Sequence, residues 1–185
     1  MSDLVRRATS FAERAHESID QRRKYTNEPY IVHPHNVAML VESVTDCEVT
    51  IAAAWLHDVV EDTPIGIGEV QAAFGKEVAR LVADLTDIAK PEDGNRKARK
   101  AIDRRHTAEA DPRAKTVKLA DIIDNLSQFQ RIKPGFAPVF LEECESLLAV
   151  LTEGSPVLYE QAETTIGEAR VLLQKGLLGP SKRDQ

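Results

Sequence analysis

The sequence predicts an all-α fold, on three observations. Apolar residues recur at spacings of three and four through most of the chain, the period of helices with one buried face. Nowhere does the apolar–polar alternation of a strand run between turn residues. An Asp or Ser directly followed by Pro, the chemistry of a helix start, occurs at Asp111-Pro112 and again at Ser155-Pro156.

The elements follow in order. Leu4, Ala8, Phe11, Ala12, Ala15 and Ile19 form the stripe of a first amphipathic helix. The polar, basic stretch from Gln21 to Pro29, with Arg22, Arg23 and Lys24, has loop composition. Pro34 suits the first turn of the next helix, where its missing N–H is no loss, and Val37, Leu40, Val41 and Val44 supply the apolar face. His33 then projects from a fixed backbone at a helix start. Asp46 is expected to cap the third helix. Its run Ile51, Ala52, Ala53, Ala54 and Leu56 reads as buried, and it is expected to continue through His57, Asp58, Glu61 and Asp62 to Thr63. Pro64 stops it there, since proline disfavours helix in the preceding residue.

Ile67, Val70 and Phe74 make a short helix closed by Gly75, and Val78, Leu81, Val82 and Leu85 make the next, to about Asp87. After the breakers Pro91, Asp93 and Gly94, residues 95 to about 109 form a mostly polar helix carrying Arg96, Lys97, Arg99, Lys100, Arg104 and Arg105. A long helix with Val117, Ala120 and Leu126 is expected from Pro112 to about Arg131, ended by Lys133-Pro134-Gly135. Val139, Phe140, Leu147, Leu148 and Leu151 mark another, closed by Gly154; Leu158, Ile166, Ala169 and Leu173 mark the last. The organisation expected is one domain over residues 1–175 and a flexible tail over 176–185.

At 185 residues, 42% hydrophobic, the chain has single-domain length and apolar mass enough for a core. A net charge of −6 argues against general nucleic-acid affinity but leaves room for a local basic site. Cys47 and Cys144 match no metal or redox spacing, so reduced thiols in a cytoplasmic protein are expected. No secretory leader is read at the N-terminus, and no stretch approaches the roughly 18 apolar residues of a membrane span. The oligomeric state has no signature in the sequence.

The chemistry gathers at His57-Asp58-Val59-Val60-Glu61-Asp62. On a helix His57 and Asp58 point about 100° apart, while Asp58, Glu61 and Asp62 share a face. Three acids and a histidine at the end of a buried helix repel one another and resist desolvation unless a cation sits among them. His33 and Asp121 complete a candidate ligand set. Asp121 interrupts the largely apolar run Val117 to Leu126, with Lys118 and Asn125 about one turn away on the same face. Two imidazoles and two carboxylates form a mixed N/O set suited to Mn2+, Fe2+ or Zn2+. Taken singly, His33 reads as a turn histidine and Asp121 as a partner of Lys118 or Arg131. Taken jointly, four polar interruptions of apolar helices favour a metal.

Three stretches carry a resemblance: Tyr30-Ile31-Val32-His33-Pro34, Leu56-His57-Asp58-Val59-Val60-Glu61-Asp62-Thr63, and Val117-Lys118-Leu119-Ala120-Asp121 followed by Asn125. In that order they resemble the HD-domain phosphohydrolase superfamily. Within it they are most similar to the hydrolase domain of the RelA/SpoT alarmone enzymes and to the stand-alone small alarmone hydrolases. The resemblance runs from about Phe11 to Leu151, and no synthetase domain is read beside it. It implies an HD-type helical bundle with Mn2+, or another divalent ion, held at its centre by His33, His57, Asp58 and Asp121. It implies removal of the 3′-diphosphate from a purine nucleotide such as (p)ppGpp, releasing pyrophosphate. Asp62 would orient or deprotonate the attacking water, and Glu61 would donate or relay a proton. Arg23 and Lys24 match a loop that meets purine and phosphate, Asn125 a residue that reaches the ribose, and Arg96 and Lys97 the phosphate-binding cations.

Two departures from the family pattern bear on the substrate. Ile122 and Asp124 stand where the family has a basic residue and then His or Tyr. The helix after Pro134 has no Lys, Arg or Tyr through Leu151, whereas the family brings an arginine and a tyrosine from it. The base therefore stays open, and (p)ppApp stands beside (p)ppGpp. Two other readings remain: an HD phosphatase for another nucleotide, such as a 5′-monophosphate, and a catalytically idle nucleotide-sensing module. The intact Glu61-Asp62 pair favours the first reading over both.

Overall fold

A computed structural model describes residues 2–178, so most of the tail expected over 176–185 lies outside the described residues. The helices run α1 (Asp3–Glu17), α2 (Val32–Glu42), α3 (Glu48–Leu56), α4 (Val59–Asp62), α5 (Ile67–Phe74), α6 (Lys76–Leu85), α7 (Arg96–Ala108), α8 (Pro112–Leu126), α9 (Ala137–Leu148) and α10 (Pro156–Gln174). Single 3-10 turns stand at Pro91–Asp93 and Phe129–Arg131. Among the described residues no strand forms; Arg22 and Pro29 make one isolated bridge across the basic loop. The all-α expectation holds.

The bundle is built around α3, which packs against α1, α2, α6 and α8. Ala52, Ala53, Ala54 and Leu56 are wholly buried there, and the small alanines let neighbouring helices come close on several sides. The second inner helix, α8, packs against α2, α6 and α10, and buries Val117, Leu119, Ala120 and Leu126. In contrast, α7 buries little and touches α6 and α9 at the rim, as its cation-rich sequence requires. No helix among the described residues is long and apolar enough to cross a membrane.

Helix starts follow the cap chemistry. Asp111 accepts from the Arg113 amide, Ser155 from the Leu158 amide and Asn95 from the Ala98 amide, each satisfying an otherwise unpaired N–H. Asp46 does not cap α3. The turn into that helix is made one residue later, at Cys47, with no side-chain cap bond.

Three boundaries fall earlier than periodicity predicts. Helix α1 stops at Glu17, and the chain reverses through Asp20 at φ 47°, leaving Ile19 exposed. Helix α8 stops at Leu126 rather than near Arg131, because Ser127 Oγ donates to the Asp124 carbonyl (2.6 Å) and takes up a ladder acceptor. Most consequential, α3 ends at Leu56. His57 Nδ1 donates to the Ala54 carbonyl (2.8 Å), the acceptor a continuing helix would use for the Asp58 N–H. Asp58 then sits at φ −100°, ψ −4°, in the bridge region, before the single turn of α4.

The loop after α9 lies directly on α8. A Cβ at Gly154 would stand 2.8 Å from Leu119 Cδ1 and 3.1 Å from the backbone of Lys115 and Thr116. A side chain there would have to displace the Leu119 methyl and press on the α8 backbone.

Candidate metal centre and adjoining cleft

Three segments deliver the four expected ligands to one place. His33 is the second residue of α2, His57 and Asp58 form the α3–α4 corner, and Asp121 projects from α8. The His33 and His57 Nε2 atoms lie 3.2 Å apart. Asp58 Oδ2 is 3.1 Å from His57 Nε2 and 3.4 Å from His33 Nε2, and Asp121 Oδ1 is 3.2 Å from His33 Nε2. One donor atom each from His33, His57 and Asp58 lies within 4.8 Å of the others, and Asp121 stands at the edge of that group, beside His33.

The outer bonds decide how these rings face. A carbonyl only accepts, so His57 Nδ1 carries its proton toward Ala54 and leaves the Nε2 lone pair inward. His33 Nδ1 likewise donates to the Asp124 carboxylate at 2.6 Å. Two inward lone pairs and two carboxylate oxygens thus converge in a nearly water-free pocket, His33 being 1% and His57 2% exposed. Four acceptors at this spacing are mutually repulsive unless a cation sits between them. Donors about 2.1 Å from a small ion, at right angles, stand roughly 3 Å apart, which is the spacing among His33, His57 and Asp58 and from Asp121 to His33. The donor set fits a divalent metal.

The side chains of the cluster also shift one another's proton affinity. Burial opposes protonation of His33, but hydrogen bonds to Asp121, Asp124 and Asp58 outweigh it and hold its pKa well above the ordinary value. His57 is raised in the same way, chiefly by Asp58 against its burial. Burial likewise resists ionisation of Asp58 and Asp121, yet His57 for the first and Lys118 for the second keep both below the usual carboxylate range. Tyr30 donates to Asp58 Oδ2 at 2.6 Å, and burial followed by the Asp58 charge keeps it a phenol. Lys118 Nζ stands 3.1 Å from Asp121 Oδ2, and Asn125 Nδ2 donates to Asp121 Oδ1 at 2.5 Å. Asp121 is therefore held from both sides.

Glu61 and Asp62 lie on α4, one turn past the corner. Asp62 is exposed and accepts from the Gln21 amide at 2.8 Å, while Gln21 in turn accepts from the buried His16 at 2.7 Å. Glu61 is exposed as a residue, but its carboxylate end is crowded and pairs with the Asp87 amide at 3.4 Å. Burial of that end, then the Asp87 charge, pushes it up to about 7.

A cleft of about 570 Å3 opens between α7, α8 and α9. Arg96, Lys97, Lys100 and Arg104 border it, and Lys118, Asp121 and Asn125 line it where it meets the metal cluster. A second recess of about 440 Å3 joins Glu61 to Arg96, Arg99 and Lys100. Of the expected substrate contacts, Arg96, Lys97 and Asn125 share the larger cleft. Arg96 is held by Glu143 at 2.7 and 2.8 Å and lies over the Phe136 ring. Lys24 is exposed and faces the same ring, 5.9 Å from its centroid. Arg23 departs from the expectation. It is 6% exposed and its guanidinium pairs with Asp124 at 2.9 Å, so its planar face is not offered to a ligand.

A family model for the HD domain matches residues 8–154. The chain belongs to the HD-domain family. Among curated relatives, this HD-domain chain is 35% identical over 178 residues to the guanosine-3′,5′-bis(diphosphate) 3′-pyrophosphohydrolase MESH1 of Homo sapiens, covering 92% of this chain and 93% of that one. It is 36% identical over 151 residues to a probable guanosine-3′,5′-bis(diphosphate) 3′-pyrophosphohydrolase of Synechocystis sp., covering 80% of this chain. The HD-domain chain spans only 20% of that longer relative. A solved structure of a metazoan ortholog of SpoT that hydrolyzes ppGpp superposes with a TM-score of 0.79 at 30% identity, covering 96% of this chain and 98% of that one.

Sequence reasoning did not single out Tyr30, Gln21 or His16 as parts of the site, and it read Asp124 only as a departure from the family. Asp124 carried the signal that exposed Asp121, a carboxylate interrupting an apolar helical run. The other three lie in or beside a loop whose polarity is unremarkable until it folds against the cluster.

Proposed function

We propose that the chain is a divalent-metal-dependent hydrolase that removes the 3′-diphosphate from purine nucleotides of the (p)ppGpp and (p)ppApp type, releasing pyrophosphate. One observation carries this reading: two inward-facing imidazole lone pairs and two carboxylates converge beside a cleft rimmed with cations. The acidic chain places Arg96, Lys97, Lys100 and Arg104 along that cleft, a local attraction for a polyphosphate. The names of the MESH1 relatives and of the SpoT ortholog support the substrate class.

We assign His33, His57, Asp58 and Asp121 to the metal, with Mn2+ as the preferred ion. When bound, a divalent ion supplies Lewis acidity at the phosphoryl oxygens and acidifies water at neutral pH. Asn125 and Lys118 keep the Asp121 oxygens turned inward, and Tyr30 does the same for Asp58. Asp62, tethered by Gln21, takes the role of orienting and deprotonating the attacking water. Glu61, still protonated up to about pH 7, returns a proton to the departing ribose 3′-oxygen. Lys97, Arg96 and Lys24 bind phosphate and Asn125 meets the ribose. No hydrogen-bonding side chain is assigned to the guanine edge, so both purines are expected as substrates. The unpaired Cys47 and Cys144 accord with a reducing, cytoplasmic setting.

The test is to incubate the purified, Mn2+-loaded protein with ppGpp, ppApp and AMP and to resolve the products by anion exchange. Pyrophosphate from ppGpp or ppApp is the expected result. Inorganic phosphate from AMP alone would replace this reading with a nucleotide phosphatase, and no product from any of the three would leave an idle sensing module.

A further inference from the structure

Behind His33, on the side away from the cluster, lies a second set of polar groups, with Asp124 and Arg23 buried and Asn36 and Gln128 half-buried. Asp124 is its hub, only 5% exposed. Its Oδ2 accepts from His33 Nδ1 at 2.6 Å and from the Arg23 guanidinium at 2.9 Å, and its Oδ1 accepts from Asn36 Nδ2 at 2.7 Å. Gln128, with its amide oxygen turned to the guanidinium, accepts from Arg23 at 2.9 and 3.3 Å. The set draws on the basic loop, on α2, on α8 and on the turn that follows α8.

Burying a guanidinium and a carboxylate carries a desolvation cost that their attraction has to offset, and apolar residues of the same volume often hold a core as well. The placement of this pair therefore calls for a reason beyond packing. It stands on the outer nitrogen of the one ring whose inner nitrogen lies within 3.4 Å of His57, Asp58 and Asp121 alike. A carboxylate bonded to a ligand imidazole fixes its tautomer and rotation and raises its basicity. An arginine on that carboxylate keeps it charged without drawing the Nδ1 proton off the ring.

We infer that Asp124 and Arg23 are positioning residues of the metal site. They lock His33 with its Nε2 lone pair toward Asp58 and Asp121 and so set metal affinity, Arg23 acting through Asp124 rather than on the nucleotide. This rests on the reading of His33 as a ligand. The inference also separates this chain from the family pattern, since the carboxylate at position 124 replaces the His or Tyr expected there.

The test measures metal binding without substrate, by competition of Mn2+ or Zn2+ against a fluorescent chelator, for Asp124→Asn, Arg23→Met, Asn36→Ala and His33→Ala. Circular dichroism and metal-free thermal unfolding establish that each variant is folded. Asp124→Asn retains an acceptor for Nδ1 but loses the charge, and a 10- to 100-fold weaker metal affinity is expected, the range usual for outer partners of a ligating histidine (roughly 10- to 100-fold). Arg23→Met should weaken metal binding in the same direction, and Asn36→Ala, which removes a single bond from the hub, should do so less. Ring-nitrogen NMR of the Zn2+-loaded protein should show His33 bound through Nε2 with its proton on Nδ1 in the wild type, and that pattern broadened or lost in Asp124→Asn. If Asp124→Asn and Arg23→Met bind metal like the wild type while His33→Ala does not, the inference is overturned and the ligand reading survives. If His33→Ala binds metal normally, the ligand reading itself has failed. Arg23→Met with unchanged metal affinity and a raised KM would return Arg23 to the substrate. Should Asp124→Asn not fold, Asn36→Ala decides: unchanged affinity and an unchanged His33 ring-nitrogen spectrum in the Zn2+-loaded protein overturn the inference.

Discussion

A neutral imidazole has one donor and one acceptor nitrogen, and whatever takes the donor's proton decides where the acceptor points. In this protein a backbone carbonyl does so for His57 and a buried carboxylate for His33, and the two Nε2 atoms then face each other 3.2 Å apart. Replacing Glu61 with Gln or Asp62 with Asn is expected to lower kcat by at least about 100-fold, the usual scale for a general acid or base, while metal affinity stays within twofold. Full activity in both variants would sink their assignment. Glu61 also gives a pH signature. Its carboxyl is raised from an ordinary 4.5 to about 7, so it holds its proton below that pH and loses it above. As a proton donor it makes kcat/KM fall when pH rises through about 7, and Glu61→Gln should lack that limb. The same shift has a stability sign. Between 4.5 and 7 the native protein binds the extra proton and the unfolded chain does not, so stability falls with rising pH across that window. Metal-free urea titrations of wild type and Glu61→Gln at pH 5 and pH 8 should show the variant gaining on the wild type at the higher pH. Glu61 is an exposed residue, and solvent screening keeps the gain small.

At the scale of elements, side chains end helices where apolar periodicity would carry them on. The His57 ring and the Ser127 hydroxyl each claim a carbonyl of the helix they terminate. At His57 the result is the corner that turns Asp58 toward the cluster and sends Glu61 and Asp62 off on a separate turn. Periodicity reports which face of a helix is buried but not which side chain will take a backbone acceptor, so the break was not legible in the sequence. The cap-and-proline signals at Asp111 and Ser155 were legible because their chemistry is local. A different kind of contact fixes the α9–α10 loop. Gly154→Ala would put a methyl 2.8 Å from Leu119 Cδ1 and 3.1 Å from α8 backbone, and the backbone cannot move aside as a side chain can. A loss of about 1–3 kcal/mol in urea unfolding is expected. Activity at saturating metal and substrate should remain once the protein is folded, because the loop lines neither recess.

For the whole molecule, the cluster ties α2, the α3–α4 corner and α8 into one unit, and none of these could supply the donor set alone. Metal and fold should therefore be linked. A ligand bound only by the native state stabilises it by RT ln(1 + [L]/Kd), about 2.7 kcal/mol at a hundredfold excess over Kd. Mn2+ should raise Tm and a chelator should reverse the rise, whereas His57→Ala should show neither response. A rise of equal size in His57→Ala would place the ion elsewhere. The cleft has the same distributed origin: its cations come from α7, its metal-facing end from α8 and its far wall from α9.

By itself the sequence determined the helical class, most helix starts and the identity of four polar interruptions in apolar helices. Those properties are local, set by the period of burial and by caps a few residues long. Only the tertiary structure decided that the four donors meet, that Arg23 turns inward to Asp124, and that Tyr30 and Gln21 reach Asp58 and Asp62. Each of those contacts joins residues far apart in the chain, and their pairing depends on how helices rotate and pack, a property no short window of residues contains.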